Sequence, residues 1–339
     1  MLREAEEAPR VVERLLKENE VEVRSLAAFL RRRPPVLALT VARGSSDHAA
    51  LFAKYLLEAR LLWPVLSLAP SVLTLYGARP RPPHPALLLA FSQSGESPDV
   101  VEAVRAYRGM GVLTVALVNR EESPLAKAAE VVLPLHAGEE RSVAATKSFL
   151  AMLAATAHLL AHLLEEPHLR EALPALPEAL ARALEAEGSL EYLVEAENLF
   201  VLGRGLVYPV ALEAALKLKE VAGLHAEGLS AAEFLHGPKA LLEPGFPVLA
   251  LVQKDGALEA TLGTLEALKA TGAHLLVLSR EAEALELADT PLRLPVALSP
   301  ELTPLLLAQA FYPMAEALAR ARGLDPDRPR HLTKVTRTR

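Results

Sequence analysis

Hydroxyl side chains gather where the chain turns. Gly44, Ser45 and Ser46 follow the apolar run "VLALTV", and Ser92, Gln93, Ser94, Gly95 and Ser97 follow "ALLLAF" in the stretch "SQSGESPD". Ser142, Thr146 and Lys147 form a third such turn in "RSVAATKS". Serine donors beside the unsatisfied N–H groups and positive dipole end of a helix suit phosphate oxygens. Any one of these turns is more often a plain helix cap, since Ser, Thr and Asp are favoured there. Three of them in one half of the chain describe a phosphate cradle. No GxxxxGK[ST] run occurs, and "GRGLVYP" lacks the third glycine of a dinucleotide fingerprint, so no nucleotide cofactor is expected.

The second chemistry is acid–base. In "ALEAALKLKEVAG", Glu213, Lys217 and Glu220 stand at i, i+4 and i+7 and share one helical face. A solvated salt-bridge ladder is the common outcome of that spacing. Leu212, Leu216, Leu218 and Val221 crowd the same segment, and a lysine beside a glutamate in a dry cleft is a plausible acid/base pair. His225 and His236 flank the loop expected after this helix. "HAE" and "AAEFLH" hold histidines and glutamates without the spacing of a zinc helix, so no metal is expected.

These groups need a scaffold whose turns follow strands. "VLALTV", "ALLLAFSQSG", "GVLTVALVN" and "EVVLPL" are short, continuously apolar runs separated by helical segments, as in parallel strands covered on both faces. The order recurs in "NLFVLGRG", "FPVLALVQKDG", "AHLLVLSRE" and "LRLPVAL", and the intervals Gly44–Ser94 and Gly205–Lys254 are both about fifty residues. The expected fold is α/β, two tandem doubly wound parallel-sheet domains. The boundaries read as a helical arm over 1–33, a first domain over 34–165, a helical linker over 166–195, a second domain over 196–322 and a tail over 323–339. In such sheets ligands bind at the carboxyl ends of strands, where the serine turns fall.

Composition narrows the partners. The 339 residues hold no cysteine, which excludes disulfides, thiolate metal sites and cysteine nucleophiles within them. A net charge of −6 argues against nucleic acid. No apolar run approaches the ~20 residues of a membrane span, and the N-terminus "MLREAEEAPR" lacks the pattern of a secretory signal. A soluble, cytoplasmic protein without a membrane partner is expected.

The stretches "ARGSS", "SQSGESPDVVEAVRAYRGMGVLTVALVN", "SVAATKSF", "ALEAALKLKEVAGLHAEGLSAAEFLHGP" and "RPRHLTKVT" together resemble, in order, the sugar isomerase (SIS) domain pair of glucosamine-6-phosphate synthase. The likeness runs from about Val36 to Lys334. It implies two SIS domains acting on an amino sugar phosphate. It places phosphate contacts on Ser46, Ser92, Gln93, Ser94 and Ser97 beside Gly44 and Ser45, the proton-moving base on Glu220 with Lys217 a turn earlier, and a tail lysine closing over the sugar on Lys334. Val143 falls near the sugar hydroxyls, where Ala145 replaces a serine of the family, and Arg43 replaces a small residue. Ring opening falls on His236, which family members supply from the neighbouring subunit, so a homodimer is implied. The synthase begins with a cysteine-dependent glutaminase domain, which these residues do not contain. "ARGSSD", "SGESPD" and "LSLAPSVLTLYG" resemble stand-alone SIS deaminases of glucosamine 6-phosphate more closely. The expected reaction is therefore conversion of glucosamine 6-phosphate to fructose 6-phosphate and ammonia, without cofactor. Synthase-like isomerisation, fructosamine-phosphate deglycation, galactosamine-phosphate isomerisation and non-catalytic sugar-phosphate sensing are the alternatives.

Overall fold

The computed structural model describes residues 1–334. The chain opens with α1 (Leu2–Glu18) and α2 (Glu20–Arg32), two helices where the periodicity suggests one arm. The break falls at Asn19, a buried residue whose Nδ2 donates to the Pro134 carbonyl at 2.7 Å. Pro34 and Pro35 then stop the helix, as proline does.

Two compact units follow from the packing. The first comprises residues 10–140 and 147–174 with Thr333 and Lys334. It holds β1 (Leu37–Val41), α3 (Ser45–Leu61), β2 (Val65–Ser67), α4 (Pro70–Thr74), β3 (Ala86–Ser92), α5 (Pro98–Arg108), β4 (Leu113–Val118), α6 (Pro124–Ala128), β5 (Val131–Pro134), α7 (Lys147–Leu163) and α8 (His168–Ala172). Its five strands are all parallel, in the order β2-β1-β3-β4-β5. Every residue of β3 is buried, which is why the strand reads as an unbroken apolar run. Leu88, Ala90, Val104, Tyr107, Ala116 and Val118 belong to one core between this sheet and its helices. Every residue of α7 is buried too, as expected of a helix that is apolar all round.

The second unit comprises residues 1–9, 141–146 and 175–332. After α9 (Leu176–Ala183) it runs β6 (Asn198–Gly203), α10 (Tyr208–Ala222), β7 (His225–Ser230), α11 (Ala231–Phe234), β8 (Pro247–Leu251), α12 (Leu258–Lys269), β9 (His274–Ser279), α13 (Ala282–Leu287), β10 (Thr290–Arg293) and α14 (Thr303–Ala321). The strand order β10-β9-β8-β6-β7 is that of the first sheet read from the other end, again all parallel. Phe200, Leu202, Phe234, Val248, Ala250 and Val277 share its core, with Phe200 and Phe234 edge to face at 4.8 Å.

Both sheets thus follow the 2-1-3-4-5 order of a doubly wound fold, whose topological switch point lies between the first and third strands. In the first unit that is the pair β1 and β3, registered with Val41 opposite Ala90, so their carboxyl ends emerge side by side. Two strands escape the apolar pattern. β2 has three residues, and β7 carries His225, Glu227 and Ser230 in the segment that reads as a loop. Both are edge strands with exposed positions, where burial does not impose an apolar run.

Candidate functional site

The serine turns sit at the switch point of the first unit. Beyond β1, Gly44 adopts φ +57°, a conformation only glycine takes readily, and stands at the N-cap of α3. Ser45 and Ser46 open the helix and are half-buried. Beyond β3, the Ser92 hydroxyl accepts from the Gly95 amide at 2.9 Å, and the Ser94 hydroxyl accepts from the Glu96 amide at 3.2 Å. Gly95 is at φ +67°, and a Cβ there would lie 2.1 Å from the Ser123 hydroxyl and 2.9 Å from Val118. The turn is therefore closed around a residue with no side chain.

Whether these serines are ordinary caps is answered by comparison within the unit. Ser123, at the N-cap of α6, accepts a hydrogen bond from the Ala126 amide. Ser97, at the N-cap of α5, makes no such bond, and the N-cap of α3 is a glycine that cannot. The Ser45 and Ser46 amides that open α3 are thus left to another acceptor, whereas α5 opens on Pro98, which has no N–H, and its Val100 amide donates to Asp99 Oδ1 at 2.9 Å. The third turn behaves differently. Ser142, Thr146 and Lys147 are buried; Thr146 Oγ1 donates to the Ala144 carbonyl at 3.3 Å and Lys147 Nζ to the Glu139 carbonyl at 2.6 Å. Two turns rather than three present hydroxyls.

Arg43, which the sequence leaves without a role, joins them. Its guanidinium reaches Asp99 in the first turn of α5, with Nε donating at 2.8 Å and the second nitrogen at 2.6 Å from the same oxygen. Asp99 is fully buried. The pair ties the residue before Gly44 to the helix after Ser97. Neither residue signals this in sequence, since they are 56 positions apart.

In the second unit α10 carries the acid–base set. Glu213 is 1% exposed, Lys217 has no exposed surface, and Glu220 is 20% exposed. Lys217 Nζ donates to Glu220 at 2.5 Å and lies 3.4 Å from Glu213. Burial alone would push the ammonium pKa down, but the charges of Glu213 and Glu220 and their hydrogen bonds hold it above the ordinary lysine value. Lys217 is a fixed cation, and Glu220 is the member of the set with a solvent-facing edge. That edge borders a cleft of about 820 Å³ formed by the end of α10, the end of α14 and residues 325–331.

The remaining candidates lie apart from this pair. His236 is exposed just past α11, and among the described residues no hydrogen bond or ion pair joins it to Lys217 or Glu220. Val143 is half-buried, its amide donating to the Asp327 carbonyl at 3.4 Å. Lys334 pairs at 2.8 Å with the buried Glu140, whose carboxylate also accepts from the amide and hydroxyl of Ser148. His225 begins β7 and meets Asn198 at 3.0 Å.

The SIS domain model matches residues 38–162 and 192–294, one stretch for each sheet. The chain belongs to the SIS domain family. It is 34% identical over 343 aligned residues to the glutamine–fructose-6-phosphate aminotransferase [isomerizing] of Pyrococcus horikoshii, covering 98% of this chain and 57% of that protein. The chain thus spans somewhat over half the length of such curated relatives. Among solved structures, a chain from Silicibacter pomeroyi provisionally assigned as a phosphosugar isomerase superposes with a TM-score of 0.87 at 43% identity, covering 96% of this chain and 98% of that one. The C-terminal domain of glucosamine-fructose-6-phosphate aminotransferase from Francisella tularensis superposes at 0.83 with 26% identity, covering 97% and 98%. The two matched SIS stretches contain both serine turns and all of α10. No helix among the described residues is long and apolar enough to cross a membrane.

One convergence in the first unit, between α2 and α7, was not read in the sequence. The expectation of no metal rested on the histidines near residues 225–236, yet the described residues that bring metal-type donors together are Glu20, His158 and His162. The signal was "HLLAH", two histidines one helical turn apart in α7.

Proposed function

We propose that this SIS protein is an amino sugar phosphate isomerase, which moves a proton between C1 and C2 of a six-carbon sugar 6-phosphate and interconverts open-chain glucosamine 6-phosphate with the C2 imine of fructose 6-phosphate. The observation that carries this reading is the Lys217–Glu220 pair, a carboxylate held beside a fully buried ammonium and open on one edge to a cleft. In the proposed cycle the hydroxyls and amides at Gly44, Ser45, Ser46, Ser92, Gln93, Ser94 and Ser97 take the phosphate. Glu220 lifts the C2 proton of the open-chain amino aldose and returns it to C1, while the C1 carbonyl oxygen gains a proton and the C2 amine gives one up, so the amino aldehyde becomes the C2 imine of the ketose. Lys217 acts through Glu220, holding its carboxylate in place by the hydrogen bond of 2.5 Å. His236 is assigned to ring opening, Lys334 to closure over the sugar and Val143 to a place beside its hydroxyls.

A second reading keeps every role and adds hydrolysis of the ketose imine, releasing ammonia. It is favoured by the absence of cysteine from the 339 residues, which leaves them without a thiol to draw ammonia from glutamine. The relatives, named as isomerising aminotransferases, favour the first reading.

The test is incubation of the purified protein with glucosamine 6-phosphate in deuterated water, following C2–H by NMR and ammonia by an enzyme-coupled assay. Exchange at C2 without ammonia supports isomerisation; ammonia in step with substrate loss supports the deaminase. Glu220→Gln is expected to lose about 10²- to 10⁴-fold in turnover, with phosphate binding by calorimetry retained. Wild-type turnover in that variant removes Glu220 as the base.

A further inference from the structure

Away from the serine turns and α10, the first unit holds a compact set of donors that the isomerase reading does not use. His158 and His162 stand at i and i+4 in α7, so their rings project from one face, 5.3 Å between centroids. Both point at Glu20, the first residue of α2. Nε2 of His158 is 2.9 Å from Glu20 Oε2, and Nε2 of His162 is 3.2 Å from the same oxygen. All three donor atoms lie within 4.8 Å of one another.

The surroundings favour a ligand over a chance contact. His158 is buried in an alanine- and leucine-rich helix, and its Nδ1 finds no hydrogen-bond partner. Whatever holds this ring therefore acts through Nε2. Burying an imidazole on a single contact is unfavourable unless that contact is strong. The nearby arginines engage other atoms: Arg24 lies 4.0 Å from Glu20 Oε1, and Arg31 donates to the His162 backbone carbonyl at 2.9 Å. Oε2 is left facing the two rings. One side of the set opens on a cleft of about 680 Å³ lined by Glu20, Ser25 and His162 together with Arg24, Arg31 and Arg170, which gives solvent access to the set.

We propose that Glu20 Oε2, His158 Nε2 and His162 Nε2 form a binding site for a borderline divalent transition metal of the zinc class, clamping α2 onto α7 and leaving a coordination position for water. In a tetrahedral site with metal–donor bonds of the usual length, donors lie about 3.3 Å apart. The two measured donor separations, 2.9 and 3.2 Å, need only tenths of an ångström of adjustment. Two imidazoles and one carboxylate select zinc, cobalt or nickel over magnesium, which prefers an oxygen shell.

The test is calorimetric titration of the full-length, tag-free, chelator-treated protein with Zn²⁺, and with Co²⁺ as a spectroscopic probe. One equivalent is expected to bind, cobalt giving the visible d–d absorption of a four- or five-coordinate ion, and zinc is expected to raise the melting temperature. Glu20→Gln and His162→Gln, both able to keep hydrogen bonds at their positions, should each weaken binding by about tenfold or more. Their melting temperatures without metal should stay near wild type, which separates lost ligation from lost folding. Mg²⁺ should not compete. Absence of saturable binding, or binding unchanged in both variants, overturns the proposal.

Discussion

An ammonium without exposed surface, flanked on its own helix by two carboxylates, is what separates Glu213, Lys217 and Glu220 from the many charge ladders of the same spacing. Their common face was legible in the sequence because helical geometry puts i, i+4 and i+7 together. Their burial was legible only as a suggestion from the leucines around them, because burial depends on what packs over the face. Once buried, the set becomes costly to break. Lys217→Met keeps the length of the side chain but leaves Glu213 without that ammonium in the interior, and should destabilise the fold by about 3–5 kcal/mol, measured by urea denaturation. The pH dependence has a definite sign. A lysine whose folded pKa lies above the ordinary 10.5 stabilises the fold fully below 10.5 and loses that contribution as pH rises through the folded value. The stability gap between wild type and Lys217→Met should therefore be flat from neutrality to about pH 10.5 and shrink above it. A gap already falling near pH 8 would mean that the ammonium is not held by its carboxylates.

At the scale of elements, the strands that sequence reveals are those buried on both faces, such as β3, and the ones it hides are the edge strands β2 and β7, whose polar residues face outward. The turns after β1 and β3 were legible as anion-binding candidates from their hydroxyls. The salt bridge between Arg43 and Asp99 that ties them was not, since only the adjacency of β1 and β3 brings it about. The shape of the second turn depends on Gly95. An alanine there would be strained at φ +67°, and its methyl would fall on Ser123 and Val118. Gly95→Ala should thus cost stability of about 1–3 kcal/mol from overpacking, and the shift of the turn should weaken binding of inorganic phosphate and fructose 6-phosphate together. Calorimetry with both ligands checks this. Unchanged affinity for both would remove the turn from the site, even if the melting temperature falls.

For the whole chain, the repeated 2-1-3-4-5 strand order points to one architecture used twice with different side chains at the two switch points. In the first unit the turns after β1 and β3 carry hydroxyls, and the N-cap of α3 is a glycine without a capping side chain. The matching turn after β8 is occupied by its own acid: Asp255 accepts from the Ala257 amide at 2.8 Å and from Gln253 at 2.7 Å. A carboxylate there disfavours an anionic ligand, so the candidate phosphate turns lie in the first unit and the candidate proton-transfer set in the second. His236 fits neither assignment within its own chain, being exposed and bonded to neither Lys217 nor Glu220 among the described residues. The family resemblance supplies a reason, that this histidine serves a neighbouring subunit. Co-expression of differently tagged Glu220→Gln and His236→Ala chains, followed by double affinity purification, tests it. In a two-fold dimer with the histidine donated across the interface, one of the two sites contains both native groups, and the mixed dimer should show about half the wild-type rate. If each chain uses its own histidine, both sites carry a defect and the mixed dimer should be no more active than the single variants.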